Sequence, residues 1–596
     1  MGDLLYHITA QPLAHVFRVS LTLPEPDPEG QGLAFPAWVP GSYTIRDLAR
    51  HITEIRAERD GREVALRKIG KDRWRLAAGQ GPVVIHYAVY AFDRSVRTAY
   101  LDHLGGFFNG PALYLRVLGQ EERRHAVTLE GPDAWQVATA LPRHSGEVWG
   151  WGCFAAAEYS ALIDHPVLMG TLTLLDFQAG ERPHHLLIQG THQADLPRLG
   201  ADLARICDWQ QRFWGETPFA TYHFLCMTSA DGYGGLEHRA SSALLCARDD
   251  LSGRQEDHYL RFLGLASHEY FHSWLVQAIR PAVLGASALD REALTRDLWV
   301  FEGITSYYDD LCLRRAGLIT PERYLTGIAQ EMTRLLRRPG RFLQSVAESS
   351  EDAWIKLYHP HVNSANFEIS YYNKGALLAL CLDLSLRLES DGARSLDTLL
   401  ARLWQDYGRV GKPLPEGQCI DEVETLAGPA LAGRLAGWIT DRTDLPLAAL
   451  LAEMGIVVHA RAASGPQDDG GQPAEKTVRA WLGAGWRPHA LGAQLRQVRT
   501  GSPAEQAGLS PDDILVAVEG VRTTAEQLQA QLDAIPEGAA ARVQFFREDI
   551  LQEARLVPTP PPQETIWLEL LDDVDAVVLA RRRAWLEGGA NRPASL

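Results

Sequence analysis

The sequence predicts a multidomain α+β chain, with a β-rich amino-terminal domain, a mainly helical centre and a second β-rich unit near the carboxyl end. Its 596 residues exceed the ~250–300 residues at which single hydrophobic cores stop growing. Short alternating segments such as Phe17–Leu23 and Val83–Val89 recur to about Phe177, and helical periodicity replaces them after about Pro183. A polar, Gly- and Pro-rich stretch at Ala463–Lys476 predicts a boundary before the last part.

These features predict five consecutive parts of the chain. They are a β-rich domain at 1–180, a mainly helical domain at 181–462, a linker at 463–480, a β-rich unit at 481–560 and a tail at 561–596. Helical periodicity in the second part is clearest over Glu256–Ile279, Arg291–Ala316, Pro321–Arg337 and Tyr372–Leu388. In the tail, Leu570–Leu586 has the pattern of one amphipathic helix.

Composition and charge narrow the classes of function. The chain has 75 acidic and 58 basic residues, a formal net charge of −17, and no concentrated run of Lys and Arg. A surface that follows phosphates needs such a run, so we expect no nucleic-acid partner. No apolar run reaches the ~20 residues of a membrane-spanning helix, so we expect no membrane partner, and Met1–Leu21 lacks the pattern of a secretory signal. The seven cysteines stand singly, which favours buried free thiols and a cytoplasmic location.

The strongest motif is His268-Glu269-Tyr270-Phe271-His272, which lies inside a helical pattern. Histidines four residues apart face the same side of a helix, where both can bind one zinc ion at ~2.0–2.1 Å. Glu269 follows the first histidine and is placed to act as general base toward water that the metal activates. Matches of this length also arise by chance, so the interpretation needs a third ligand.

Glu302 is the expected third ligand, because a catalytic zinc site has three protein ligands and one open position. It lies in Trp299–Tyr308 on the next predicted helix, where a buried carboxylate among apolar residues is costly unless a cation compensates its charge. Asp297, Asp309 and Asp310 are rival ligands in the same region. Asp309, two helical turns after Glu302, is also a candidate to accept an N–H from a ligand histidine.

Several further blocks of sequence point to one family. They are Pro36–Asp47, Gly234–His238, Gln344–Glu348, Asp352–Lys356 and Ser370–Gly375, with Gly501–Leu509 and Asp513–Gly520 near the carboxyl end. Together with the two metal motifs, these blocks resemble the glycyl aminopeptidase family of gluzincin zinc metallopeptidases with a carboxy-terminal PDZ domain. The resemblance covers most of the chain, and the PDZ-like part extends from Leu491 to about Arg555.

The resemblance implies a thermolysin-like catalytic domain that binds one zinc ion per chain. It implies cleavage of single residues, Gly or Ala above all, from peptides with a free amino terminus. Tyr372 would donate its hydroxyl to the oxyanion, with Tyr371 as the alternative, and Glu237 would bind the substrate's α-ammonium group. Gly234 and Gly235 would let the substrate backbone lie close to their strand. The PDZ domain would bind peptide carboxyl termini or only pack against the catalytic domain.

Three questions stay open at this level. Pro36–Asp47 is as typical of a rigid turn as of a functional loop, and we favour the structural role, with Arg46 and Asp47 paired to each other or to the catalytic domain. Leu275 and Gln277 stand where the family tends to have Asn and Lys, which bears on local polar contacts and substrate preference. The leading hypothesis is an aminopeptidase. Its alternatives are a zinc endopeptidase of the same fold and a peptide-binding PDZ scaffold with a vestigial site.

Overall fold

The structure, a computed structural model, describes residues 2–285 and 289–588. The chain forms two compact units, one comprising Met1–Leu294 with Ala401–Glu416 and the other Thr295–Leu400 with Gly417–Leu596. In the described part of the chain, no helix is both long and apolar enough to cross a membrane. The expected fold class, a multidomain α+β protein with a β-rich start, a helical middle and a carboxy-terminal β unit, is confirmed.

The first unit begins with a β-rich region. Its elements are β1 Leu4–Gln11, β2 Val16–Leu23, β3 Gly32–Ala34, β4 Ile52–Arg59, β5 Arg62–Val64, β6 Leu66–Lys68, β7 Arg73–Leu76, β8 Val83–Tyr90, β9 Ala99–Leu101, β10 Gly105–Phe108, β11 Arg116–Val117, β12 His125–Glu130, β13 Gln136–Ala138, β14 Arg143–Gly146, β15 Gly152–Ala156, α1 Tyr159–Ile163 and β16 Val167–Gly170. The largest sheet has the order β14-β15-β12-β1-β2-β8-β4-β5. Strands β2 and β8 match the two segments predicted from alternation, and their inward side chains are buried.

A second sheet of the first unit lies against the helix that carries the histidine motif. Its elements are β17 Leu172–Ala179, β18 Arg182–Gln189, α2 Leu196–Trp214, β19 Tyr222–Ser229, β20 Gly234–Glu237, β21 Ser241–Ala247 and α3 Glu256–Phe271. The strand order is β17-β18-β19-β21-β20, so β20 lies at an edge. Helix α3 packs against β20 and β21, which brings the histidine motif next to the Gly-Gly-Leu-Glu strand.

The second unit begins with helices around a buried polar core. After a π-helical turn at Trp299–Gly303 come α4 Ile304–Arg315, α5 Pro321–Leu336, α6 Val346–Glu351, α7 Ser364–Phe367, α8 Asn373–Leu388, α9 Leu396–Leu403, α10 Gln418–Ala427, α11 Pro429–Thr440 and α12 Leu447–Ala452. Helix α8 is buried along most of its length, including Asp383, which pairs with Arg387 at 3.0 Å. Such a buried carboxylate is tolerated because its charge is compensated and hydrogen-bonded.

The carboxy-terminal β unit is an insertion. The remaining elements are β22 Ile456–Arg461, β23 Ala484–His489, β24 Gly492–Val498, α13 Pro503–Gln506, β25 Ile514–Val518, β26 Val521–Arg522, α14 Leu528–Asp533, β27 Ala541–Arg547, β28 Ile550–Leu556, β29 Thr565–Leu570 and α15 Ala576–Arg583. Strands β22 and β29 pair antiparallel, and β23 to β28 form a separate unit between them. The segment expected to be a tail therefore returns to the helical part and supplies a strand as well as a helix.

The helical predictions agree with the structure to different degrees. Helices α5 and α8 confirm two of them to within one residue at each end. Helix α3 ends at Phe271, not Ile279, because the chain turns back and the Ile279 N–H donates to the Trp274 carbonyl at 2.7 Å. The segment from Arg291 becomes helical only near Trp299, and the Thr295 hydroxyl accepts the Asp297 N–H before that point. All seven cysteines are free, as expected, and six of them are buried.

Candidate active site

The two motif histidines lie at the carboxyl end of α3. His272 is the residue that ends the helix, and its N–H donates to the His268 carbonyl at 3.3 Å. The imidazole centroids are 4.6 Å apart and the rings are nearly perpendicular, at 89°. His268 is half-buried, whereas Glu269 and His272 are buried. The helical register therefore directs both rings to the same side, as the spacing predicts.

A backbone carbonyl determines which nitrogen of His272 is available. The Nδ1 atom lies 2.9 Å from the Leu275 carbonyl, which can only accept, so Nδ1 carries the proton. Nε2 then keeps its lone pair for a metal, with the ring held by an outer partner as in other metal sites. Leu275 stands where the family tends to have Asn, but this contact does not depend on the side chain, because the backbone carbonyl of residue 275 makes it.

Glu302 lies in the π-helical turn that precedes α4 and is 2% exposed. A π-helical turn is a costly local geometry that often marks functional positions. The next residue, Gly303, allows a very close helix contact, because a Cβ there would lie 2.8 Å from the Gly375 Cα. This contact places the Glu302 turn directly against the amino-terminal end of α8.

The expected ligands come together. His268, His272 and Glu302 each offer one ligand atom, and these atoms all lie within 4.8 Å of one another. Two imidazoles and one carboxylate, mostly buried, are the donor set of a catalytic zinc site with an open position. None of the rival aspartates belongs to such a group among the described residues. Asp297 accepts the Gly417 N–H at 2.7 Å, and Asp310 is exposed.

Glu237 belongs to a second group of close ligand atoms. Those of Glu237, Glu269 and His272 lie within 4.8 Å of one another, and Glu237 is 3% exposed. Gly235 lies two residues before Glu237 on β20 and therefore faces the same side of the strand. A Cβ on Gly235 would lie 2.0 Å from the Glu269 Oε1. The absent side chain therefore makes room for the Glu269 carboxylate. Gly234 is under no such constraint, since a Cβ would meet only Arg97, at 3.5 Å.

The amino-terminal block Pro36–Asp47 contributes more than a turn. Gly41 has a φ of +83°, and a Cβ on it would lie 2.5 Å from the Glu237 Oε1. A cavity of about 320 Å³ is lined by Glu237, by Trp38 to Gly41 and by Gln277. Position 277, where the chain departs from the family, therefore borders this cavity. The density of Trp, Gly and Pro in the block was the only sequence signal for this role.

Charged residues at the edges of that block have partners of their own. Arg46 donates to the Ser42 hydroxyl at 2.8 Å, and Asp47 pairs with Lys71. His238 and Asp164 also line the cavity, and the His238 Nδ1 atom lies 3.4 Å from the Asp164 carboxylate. Burial alone would raise the pKa of Asp164, but the hydrogen bond and charge of His238 outweigh it, so the pKa falls below its ordinary value.

The tyrosine segment before α8 forms a hydroxyl cluster. The Tyr358 hydroxyl lies 2.8 Å from that of Tyr372 and 3.1 Å from that of Tyr371. Tyr371 is fully buried, whereas Tyr372 is half-buried, and their rings stack with centroids 4.7 Å apart. Tyr372 is thus the more accessible of the two candidates. Tyr358 was missed from sequence, since nothing in its own block distinguishes it from other tyrosines.

Three family models match separate parts of the chain. Residues 5–171 match the peptidase M61 amino-terminal domain, residues 261–378 the M61 glycyl aminopeptidase domain and residues 494–545 a PDZ domain. No curated protein matches the chain. The crystal structure of an aminopeptidase N family protein from Idiomarina loihiensis is 38% identical, covers 98% of this chain and 100% of its own, and has a TM-score of 0.94.

Two more distant structures are an M1 zinc metallopeptidase from Deinococcus radiodurans and yeast LTA4 hydrolase. Each is 14% identical with a TM-score of 0.46; the first covers 75% of this chain and 95% of its own, the second 76% and 70%. Similarity at that level does not indicate function. The near full-length match and the M61 matches in two separate domains do: the chain belongs to the M61 glycyl aminopeptidase family and carries a PDZ domain near its carboxyl end.

Proposed function

We propose that this aminopeptidase depends on one zinc ion per chain, held by His268, His272 and Glu302. The observation that carries the proposal is the closeness of their three ligand atoms, all within 4.8 Å. When bound, zinc supplies a Lewis acid that polarises a peptide carbonyl and lowers the pKa of water. Asp309 remains a candidate outer partner for His268 only, since the Leu275 carbonyl already orients His272.

Glu269 is the general base in this proposal. Its buried carboxylate faces the space left by Gly235, so it is held in place beside the ligand histidines. Glu269 takes a proton from the attacking water as the C–O bond forms at the scissile carbonyl carbon. The same carboxyl group then returns that proton to the leaving nitrogen as the C–N bond breaks. The Tyr372 hydroxyl donates to the carbonyl oxygen as negative charge develops on it.

Glu237 binds the α-ammonium group of the peptide's first residue. Its carboxylate belongs to the same group of atoms as Glu269 and His272, so an amine bound there holds the first peptide bond at the reacting groups. Gly234 and Gly235 keep β20 free of side chains where the substrate backbone approaches. A fixed carboxylate at this position favours an exopeptidase over an endopeptidase of the same fold.

The proposed substrates are peptides with a free amino terminus and a small first residue such as Gly or Ala. This preference rests on family membership, and the cavity of about 320 Å³ beside Glu237 makes it worth measuring against larger residues. A series of Gly, Ala, Leu and Phe chromogenic amides would rank them. Zinc near one per chain together with turnover of the Ala amide would eliminate the scaffold alternative.

Glu237 provides the test that separates terminal from internal cleavage. Glu237→Gln keeps the shape that Gly41 packs against but removes the charge, so we expect a loss of ~2–4 kcal/mol in transition-state binding for free-amine substrates. An amino-acetylated peptide should remain uncut by the parent enzyme. Equal cleavage of acetylated and free peptides, with the variant unaffected, would indicate an endopeptidase.

A further inference from the structure

Arg97 contacts the edge strand β20 within the first unit. Strand β20 ends the sheet order β17-β18-β19-β21-β20 and pairs, among the described strands, only with β21. The Arg97 Nη2 atom donates to the Gly235 carbonyl at 3.0 Å. A Cβ on Gly234 would lie 3.5 Å from the Arg97 Nη1 atom. The guanidinium therefore lies beside Gly234 and Gly235, the two residues that keep this strand free of side chains.

Hydrogen bonds hold the backbone on both sides of Arg97. The side-chain amide of the fully buried Asn109 donates to the Val96 carbonyl at 3.0 Å, and the Asn109 N–H donates to the Thr98 carbonyl at 3.0 Å. The Arg97 N–H itself donates to the Ser95 hydroxyl at 3.2 Å. A cation on a backbone held in this way loses less conformational entropy when it binds a ligand than a cation on a loose loop.

Arg97 has no compensating carboxylate in the part of the chain that the structure describes. Its side chain is half-buried and its Nε is enclosed without a hydrogen bond, whereas Nη1 is unbonded but not enclosed. By contrast, the guanidinium of Arg94 lies 3.6 Å from the Asp102 carboxylate. A half-buried cation without a counter-charge is costly, although this chain has 75 acidic residues against 58 basic ones. A ligand carboxylate at Nη1 removes that cost and forms a charge-assisted hydrogen bond.

The order of residues along β20 places Arg97 just after the reacting groups. Glu237 is the proposed site of the substrate's amino group, and Gly235, two residues earlier, faces the Glu269 carboxylate. A peptide that passes from Glu237 to Glu269 next meets the guanidinium beside Gly235 and Gly234. At ~3.4 Å per residue, these two glycines lie ~7 and ~10 Å from Glu237 along the strand. Extended di- and tripeptides span the same ~7 and ~10 Å.

We propose that Arg97 binds the terminal carboxylate of di- and tripeptides whose amino group lies at Glu237. This inference rests on the proposed aminopeptidase function, and it names the substrate class of that site. A short peptide is then held at both ends across the bond that breaks, which orients its first peptide bond toward Glu269. A longer peptide gains nothing from this contact, because its carboxylate lies beyond the guanidinium.

The test compares alanine peptides that carry either a free carboxylate or a carboxy-terminal amide. For trialanine we expect kcat/KM to be about tenfold higher for the free acid, because the amide loses a charge-assisted hydrogen bond. For an alanine-rich peptide of about eight residues the ratio should be near one, since at ~3.4 Å per residue its carboxylate lies well past Arg97. A ratio near one for both dialanine and trialanine would overturn the proposal.

Two variants locate the effect. Arg97→Gln keeps an N–H that can donate to the Gly235 carbonyl but loses the charge, so the acid-to-amide ratio for trialanine should fall to near one. Its kcat/KM for the chromogenic Ala amide, which has no carboxylate, should stay near that of the parent. Arg94→Gln is the matched control and should keep the parent's ratio, because Arg94 also donates to a strand carbonyl, on Thr228, but is already paired with Asp102. An equal loss on all three substrates in Arg97→Gln would show that Arg97 supports β20 and binds no carboxylate.

A binding measurement separates this inference from the proposed function. In zinc-loaded Glu269→Gln, which should bind peptides without cutting them, calorimetry should give a Kd about tenfold lower for trialanine than for its amide. The difference should disappear when Arg97→Gln is added. Equal affinity of the acid and the amide would contradict the role of Arg97 alone. Failure of the parent enzyme to cut the Ala amide with zinc bound would instead contradict the proposed function.

Discussion

Glu269 is the residue on which the proposed chemistry depends most directly. Glu269→Gln should abolish turnover while the protein still binds zinc, because the amide is nearly isosteric but cannot take a proton from water. We expect kcat to fall by several powers of ten if the base and the metal act as one unit. Stopped assays with metal analysis on the same sample would check both outcomes. His272→Ala is the contrasting variant, since it should lose the metal during dialysis.

The tyrosine pair allows a matched comparison at the same scale. Tyr372→Phe and Tyr371→Phe each remove one hydroxyl that contacts Tyr358, at 2.8 and 3.1 Å. Only the first should lower kcat, by ~10²–10³-fold with KM little changed, if the Tyr372 hydroxyl stabilises the developing oxyanion. Steady-state kinetics on the Ala amide would measure both. A loss confined to Tyr371→Phe would move the role to the buried ring.

Among the elements, helix α6 shows how a block of motif residues supports the site without belonging to it. Ser345 and Glu348 form a capping box at the start of α6, and the Gln344 side chain accepts the Ile369 N–H at 3.0 Å. Ser349 donates to the Ile369 carbonyl at 2.8 Å. These contacts fix the backbone just before Tyr371 and Tyr372. The block is therefore explained by positioning of the tyrosines.

The charge of Glu348 makes this element sensitive to acid. Hydrogen bonds from Arg442 lower the pKa of Glu348 from 4.5 to about 2, aided by the Ser345 N–H and hydroxyl. A lowered pKa in the folded state stabilises the fold above pH 4.5 and is lost as the pH falls toward 2. Glu348→Gln should be less stable than the parent at pH 7, and the gap should narrow below pH 4.5. Urea unfolding of the parent and the variant at pH 7 and below pH 4.5 would measure this difference in stability. A difference that does not change with pH would contradict the lowered pKa of Glu348.

The sequence predicted individual elements well where one physical rule dominates. The i, i+4 histidines and the alternation in β2 and β8 needed only helical or strand geometry. The approach of Gly41 to Glu237 was not predictable, because it joins segments almost two hundred residues apart in sequence. The π-helical turn at Glu302 was missed for a different reason, since an added residue in a helix leaves the apolar pattern nearly unchanged.

At the scale of the whole molecule, the way in which the PDZ domain is connected to the rest of the chain differs most from the prediction. The polar segment Ala463–Lys476 is typical of a flexible linker, yet Asp468 within it pairs with Arg461 at 2.5 Å and accepts the Ser464 and Gly470 N–H groups. The composition of this segment cannot show that the chain after the PDZ domain pairs with the strand that precedes it. Strand β29 does return to pair with β22, and α15 follows it.

Removal of the carboxyl end and removal of the PDZ domain should therefore have opposite effects. Truncation from Gly465 onward also deletes β29 and Trp585, which is fully buried and donates to the Tyr307 hydroxyl at 2.8 Å. Loss of one such tryptophan costs ~3–5 kcal/mol, so the truncated chain should not fold. Excision of residues 481–559 removes only the inserted unit, because Trp481 and Thr559 form an antiparallel bridge and their neighbours can be joined by a short Gly linker.

The excised protein should fold, bind zinc and cut the Ala amide at a rate near that of the parent. Thermal unfolding followed by circular dichroism, metal analysis and the amide assay would check these three outcomes on one sample. An excised chain that fails to fold would show that the PDZ domain contributes to the core through contacts such as the hydrogen bonds of Asn366 with Val498 and Thr500.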